Sequence, residues 1–424
     1  MENSDYFRTP ENLFFSRRMT DPQFGARLTG KIGRWGIGAL VGDDRAPGER
    51  APEDADYYGD RAAIGIFRLY RELGNESRIG GLITSRDFAG SSNRVFSLDT
   101  RLRLTRNLLL TGQLIESRNR DLDGDSRSGT AGFLRLAQSG RHFSANAYYR
   151  DRSPDFEANA LGFINRVNIR ETGGSTGYTW RPVKRRIVSF GPSFSGSFIY
   201  DHDGTLTDWT VSPSFRMELP RNSYMSFTHH EYFERFAGID FRRKSNAASI
   251  SSQWQKWLHL STSLEHGDGI NYYSPTGPFM GKSLSTNSSL KIMPTPQLQI
   301  DETYLYSRLA AADGRGTVFN NHIWRTKANY QFTRELSLRA IVDYNAVLPN
   351  DALVRLERRK RLGLDFLFTY MLHPGTALYI GYTDNYENLR FNPSVSPLER
   401  ERAGFPDTSV GRQIFAKFSY LLRI

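Results

Sequence analysis

Apolar and polar residues alternate with period two along almost the entire chain. Between Thr207 and Leu219 one set of positions reads Thr207, Trp209, Val211, Pro213, Phe215, Met217, Leu219. The intervening set reads Asp208, Thr210, Ser212, Ser214, Arg216, Glu218. Successive side chains of a strand point to opposite faces, so this spacing predicts strands with one apolar and one polar face. Val188–Tyr200, His322–Phe332, Phe96–Leu104, Phe143–Tyr149, Leu338–Tyr344, Leu378–Tyr386 and Ile414–Leu422 follow the same rule. Val354–Leu372 is the longest case. From Leu362 to Leu372 its even positions form an apolar band about 11 residues long, the length of a tilted membrane-crossing strand. Arg358 and Lys360, on the same face, fall beyond the band.

A soluble sandwich or propeller would alternate too. The segments here run about 11–18 residues, against a mode of roughly 5–6 in soluble sheets, and the polar faces are too charged to form half of a dry core. Connections alternate in length. Tight ones fall near Arg34–Trp35, Leu73–Glu76, Arg106–Asn107, Gly140–Arg141, Pro220–Asn222 and His373–Thr376. Longer or more polar ones are Asp43–Tyr58, Asp121–Gly129, Ser153–Asn165, Ala237–Asn246, Ser274–Gly281 and Asn392–Thr408. Short turns at one rim and long loops at the other mark an outer-membrane barrel. The expectation is an all-β, transmembrane, antiparallel up-and-down β-barrel in the bacterial outer membrane. About 21 segments are clear back to Phe24, and Asn12–Met19 is a candidate for one more. Even counts favour about 22 strands, with 20 as the fallback. Residues 1–23 would be a lead-in, either a first strand or a segment inside the barrel, and 24–424 the barrel.

Composition then sharpens this reading. Hydrophobic residues make up 38% of the 424, little for a buried core but enough to turn one face to lipid. Aromatic residues at 13% argue against disorder. Cysteine is absent, which excludes disulfides, Cys-ligated metals and a thiol nucleophile. No apolar run approaches the ~18 residues of a membrane helix.

At the N-terminus Met1–Pro10 is polar and has neither the charged nor the apolar region of a secretory signal. The expectation is a fragment of a longer protein. Asn12-Leu-Phe-Phe-Ser-Arg-Arg-Met19, Gly25-Ala-Arg-Leu-Thr-Gly-Lys-Ile-Gly33 and Trp35-Gly-Ile-Gly38 follow. Together with the closing Phe415-Ala-Lys-Phe-Ser-Tyr-Leu-Leu-Arg423, they resemble a Gram-negative barrel domain of unknown function. That domain follows a family-9-like carbohydrate-binding module. Its pattern is "FFSRR", then "G-A-K-L-T-G-K" and "W-S-I-G"; here Arg27 replaces Lys and Gly36 replaces Ser. The resemblance covers both termini and implies an outer-membrane location and a link to glycans. The C-terminal strand places Phe418, Tyr420, Leu422 and Ile424 on one face, as a signal for the barrel assembly machinery would, although the usual last residue is aromatic.

Candidate chemistry is sparse. His229, His230 and Glu231 are adjacent, so the two imidazoles point to opposite faces and cannot share a metal. Asp121, Asp123 and Asp125 have calcium-loop spacing, but Ser126 and Gly132 stand where an EF-hand needs Gly and Glu. A hydrolytic site would draw on Asp201, His202, Asp203 and His230, without a Gly-x-Ser-x-Gly elbow. No cofactor is expected. The net charge of +11 falls on strands instead of a helix or arm, which argues against nucleic acid. On the predicted inner faces lie Arg101, Arg103, Arg325, Lys327, Arg339, Arg355, Arg359 and Arg361, with Asp99, Asp343, Glu357 and Asp365 as partners. Compensating ion pairs are one reading of these rows, and an anion-favouring pore is the other. The functional expectation is a monomeric, passive channel or transporter for a polar solute, anionic or saccharide, with lipid and lipopolysaccharide around it. The alternatives are a surface-exposed hydrolase and a closed barrel that anchors a glycan-binding module.

Overall fold

The computed structural model describes residues 5–74, 76–183, 186–392 and 399–421. Twenty-one strands belong to one antiparallel sheet, in which each strand of known register pairs with the next along the chain. Contacts divide the chain into two units. The first holds residues up to Thr179 plus Ser193–Val211, and the second holds Trp180–Pro192 plus everything from Ser212.

The first unit contains β1 (Gly25–Ile32), β2 (Trp35–Asp44), β3 (Ala62–Gly74), β4 (Ser77–Phe88), β5 (Ser91–Arg103), β6 (Leu108–Arg120), β7 (Ser126–Ser139), β8 (Phe143–Arg152) and β9 (Ile169–Tyr178). It also takes most of β10 (Ser189–Tyr200) and the start of β11 (Leu206–Leu219). One face of this wall carries Leu98, Leu114, Leu134 and Phe198, all exposed, as a lipid-facing surface must be. The opposite face is covered. Phe7 and Leu13 from the N-terminal segment, with Phe156, Leu161 and Ile164 from the β8–β9 connection, pack on Leu40, Ile64, Ile66, Leu82, Val95 and Ile115. Gly38 makes room for the Phe7 ring, since a Cβ there would lie 3.0 Å from it. These strands are therefore apolar on both faces, and Ala62–Phe67 reads as an almost continuous apolar run for that reason.

Asn12–Met19 does not add a strand. It runs as coil into a 3-10 turn at Ser16–Arg18, with the Phe15 N–H donating to Leu161 O (2.7 Å) and the Phe163 N–H to Asn12 O (2.8 Å). Its backbone groups are met by the β8–β9 connection and not by a ladder, so among the described residues the sheet has 21 strands.

The second unit contains β12 (Ser223–Phe236), β13 (Ile239–Gln255), β14 (Leu258–Asn271), β15 (Phe279–Thr295), β16 (Leu298–Ala311), β17 (Thr317–Gln331), β18 (Leu336–Pro349), β19 (Arg359–His373) and β20 (Thr376–Glu387). A small hairpin of β21 (Leu389–Asn392) and β22 (Glu399–Arg402) precedes β23 (Thr408–Ser419), which pairs with β20. Two connections depart from the expected loop lengths. Ala237–Asn246 is a two-residue turn at Ala237–Gly238, with φ of 50° and 78°, and β13 begins at Ile239. Positive φ at both central residues is the hairpin turn whose twist matches the strands, and Gly238 supplies it without strain. Val354–Arg358 is a connection and not strand, because Leu353 and Val354 are buried against Leu309, Ala311 and Val318.

Candidate functional site: an arginine cluster beside an inward-folded connection

On β17 and β18, Arg325 stands opposite Asp343 and its Nε lies 3.1 Å from the carboxylate. Asp343 in turn faces Gly363 of β19, and Arg361 two residues away shares that polar face. Asp365, also on it, accepts a hydrogen bond from Thr383 Oγ1 (2.7 Å). Lys327 stands opposite Asp301. Arg339 and Arg355 make no ion pair among the described residues.

The polar face is densest in charge where β19 starts and β20 ends. The Glu387 carboxylate, 9% exposed, receives Arg359, Arg402 Nη1 at 3.4 Å and Arg361 Nε at 4.0 Å. Arg402 also reaches Glu357 at 2.6 Å. Three guanidinium groups thus share two carboxylates, and Arg355 adds a fourth cation nearby in sequence. Arg359 and Arg361 are half exposed while Glu387 is buried, so these two arginines offer positive charge to solvent, with the exposed carboxylate of Glu357 beside Arg402. Asn388, fully buried, holds the arrangement. Its side-chain oxygen accepts the Lys360 N–H (2.6 Å) and its amide donates to Ala403 O (3.0 Å).

The β18–β19 connection lies over the same face. Asn271 of β14 donates to Leu353 O (2.7 Å), the Arg355 N–H donates to Tyr273 O (2.8 Å), and the Asn350 N–H donates to Val318 O (2.8 Å). The apolar pair Leu353 and Val354 is thereby seated across β14, β16 and β17. The connection then runs on to Glu357, which meets Arg402. Chemically the arrangement presents half-exposed guanidinium groups beside a connection folded onto the polar face.

In the first unit the expected charged residues behave differently. Asp99 is sealed against Arg68, with side chains 2% and 1% exposed and a second hydrogen bond of 2.8 Å. Arg103 pairs with Glu76 beside the β3–β4 turn, and Arg101 stands opposite Arg78. Glu11 of the N-terminal segment, 5% exposed, is held by Arg150 Nε (2.9 Å) and by Arg152, and Arg150 also pairs with Glu171. The Glu11 N–H donates to Gln113 Oε1 (2.7 Å).

Most of the remaining candidates have local partners. His202 Nε2 is 3.2 Å from Asp151 Oδ1 and its Nδ1 is 3.0 Å from Asn168. Asp201 accepts the Thr205 N–H in the hairpin tip (2.7 Å). Asp203 lies in that tip in the first unit, and His230 lies in the second. His230 Nδ1 is 2.8 Å from Ser212 Oγ with Tyr232 stacked on the ring, and no carboxylate bonds to it among the described residues. A hydrolytic relay needs that third group. His229 binds Asn246 and Glu231 on the other face. Asp121 is engaged by Arg127 and Asn119, which hold its pKa below the usual carboxylate value. Among the described residues no three His, Cys, Asp or Glu converge as a metal site. Phe418 and Tyr420 are exposed, while Leu422 and Ile424 lie outside the described residues.

Sequence reasoning missed Glu387, Arg402, Glu11, Arg150 and Arg152. Glu387 was within reach, as the acidic end of an alternating strand that follows the basic run Arg355–Arg361.

No family model matches the chain, and no curated protein sequence matches it. Solved structures do. The copper transporter OprC superposes with a TM-score of 0.56 at 10% identity, over 94% of this chain and 78% of its own. The FrpB iron transporter from Neisseria meningitidis, in its apoprotein form, gives 0.50 at 11% identity, over 91% and 73%. The shared fold is that of an outer-membrane, antiparallel up-and-down β-barrel.

Proposed function

We propose that this protein passes a polar, anionic solute across the outer membrane, with the arginine cluster of Arg359, Arg361 and Arg402 as the filter. The observation that carries the reading is the pairing of half-exposed guanidinium groups around a buried Glu387, beside a connection folded onto the polar face. Rings of Arg and Lys select anions because a permeating anion exchanges water for fixed positive charge, whereas a cation is repelled in a low-dielectric wall. The mechanism is passive. The polar faces of β14–β20 lower the cost of desolvation, and the β18–β19 connection narrows the path. The transporters OprC and FrpB support transport through their shared fold; their cargo is not carried over. The resemblance at the termini would add a glycan link, which makes a sugar acid a suitable first solute.

Liposome swelling tests this. Proteoliposomes should admit a small organic anion faster than its uncharged amide, and Arg359→Glu with Arg361→Glu should invert the order. Equal rates for both solutes in the unaltered protein would overturn the filter, and no swelling with any solute would leave the anchoring role.

A further inference from the structure

The lipid-facing side of the first unit is interrupted by a groove of about 790 Å³, lined by Phe67, Leu69, Ile83, Leu98 and Leu114. It exists because Gly81 stands in register between Leu69 and Leu98, in a row that continues to Leu114. The neighbouring row is Trp35, Arg71, Ile79, Thr100 and Gly112. A Cβ on Gly81 would meet only Ser97 O at 3.4 Å and Leu98 Cδ2 at 3.5 Å, so the space above it is open. The groove runs along β4 towards the β3–β4 turn. There the Arg71 guanidinium lies 5.4 Å from the Trp35 ring centroid and has no anionic partner among the described residues. Tight turns mark the periplasmic rim of such barrels, and an indole beside a cation is the usual composition of a membrane interface.

We propose that this groove binds one glycerophospholipid of the periplasmic leaflet, an acyl chain lying over Gly81 and the phosphate at Arg71. The hydrophobic effect does not drive the seating, since the chain leaves hydrocarbon for hydrocarbon. Close packing in a side-chain-sized trough and the charge of Arg71 do. Arg71 gives the site its preference for an anionic headgroup; the groove gives it occupancy. The inference is independent of what the barrel transports.

Native mass spectrometry of the full chain in detergent, titrated with dipalmitoyl phosphatidylglycerol or dipalmitoyl phosphatidylcholine, tests it. One retained adduct is expected, favouring phosphatidylglycerol several-fold. Gly81→Leu should reduce that adduct about tenfold by filling the trough, and Leu114→Trp, filling it from the exposed rim, serves if Gly81→Leu does not refold. Arg71→Gln should keep the adduct and bring the two lipids to near parity. A random distribution of adducts on the unaltered protein, or an adduct indifferent to the filling variants, would overturn the groove. An undiminished preference for phosphatidylglycerol in Arg71→Gln would overturn the headgroup assignment.

Discussion

Replacing Glu11 by Ala isolates the ionic part of what holds the N-terminal segment on the inner wall of the first unit. The carboxylate is 5% exposed and closes two ion pairs, with Arg150 and Arg152, whose side chains are 27% and 11% exposed. Removing one member of a buried pair costs about 3–5 kcal/mol, because the remaining charge is left without compensation. Arg150 retains Glu171 and some water, so about 2–3 kcal/mol is the appropriate figure here. Against this, burial of Phe7 and Leu13 contributes roughly 1.5–3 kcal/mol each and is untouched. The segment therefore stays docked but opens more often, by a factor of about 30–140 at tenfold per 1.4 kcal/mol. Amide hydrogen exchange at Phe15 and Phe163, which bond across the segment and the β8–β9 connection, reads that opening directly. Exchange at both should accelerate by about that factor, while β14–β19 keep their protection. Unchanged exchange at Phe15 would show that the ion pairs contribute nothing to docking. Loss of protection throughout the wall would show that the segment is part of the fold's foundation and not a separable cover.

Asp99→Ala should destabilise the barrel by about 3–5 kcal/mol in urea-induced unfolding, because Arg68 would be left buried and unpaired. The same change should leave ion selectivity as it was, since the pair is out of contact with solvent. Gly238→Val forces a β-branched residue to a φ of 78°, so the β12–β13 hairpin should lose about 1–2 kcal/mol, visible as a lower midpoint of unfolding. Glu387→Gln removes the shared carboxylate of three arginines and should raise anion preference further while lowering stability, both checked on one refolded sample.

The fold class was legible because period two survives any loop error: Thr207–Leu219 and Val188–Tyr200 alternate whatever the register of their neighbours. What the alternation hid was a second apolar face. Ile64, Ile66, Leu82 and Val95 alternate with Gly65, Phe67, Ile83 and Phe96, so these strands carry hydrophobic residues on both sides and only a covering segment explains them. Asn12–Met19 looked like a strand because its apolar residues serve that cover. Turn chemistry misled at Ala237–Asn246, where charge density suggested a loop; Arg242 and Lys244 are instead outward residues of β13 beyond the lipid band. At the candidate site, Arg359 and Arg361 were found from their spacing. Glu387 and Arg402 were not, since their meeting depends on the β20–β23 connection turning back over β19, which no local pattern encodes.

The reversal potential of the refolded barrel in a planar bilayer under a potassium chloride gradient reads the charge preference of the arginine cluster. Chloride should permeate more readily than potassium, and the Arg359→Glu, Arg361→Glu protein should shift the potential towards the potassium limit. A cation-preferring channel, or a potential unmoved by charge reversal at these two residues, would rule out the arginine filter.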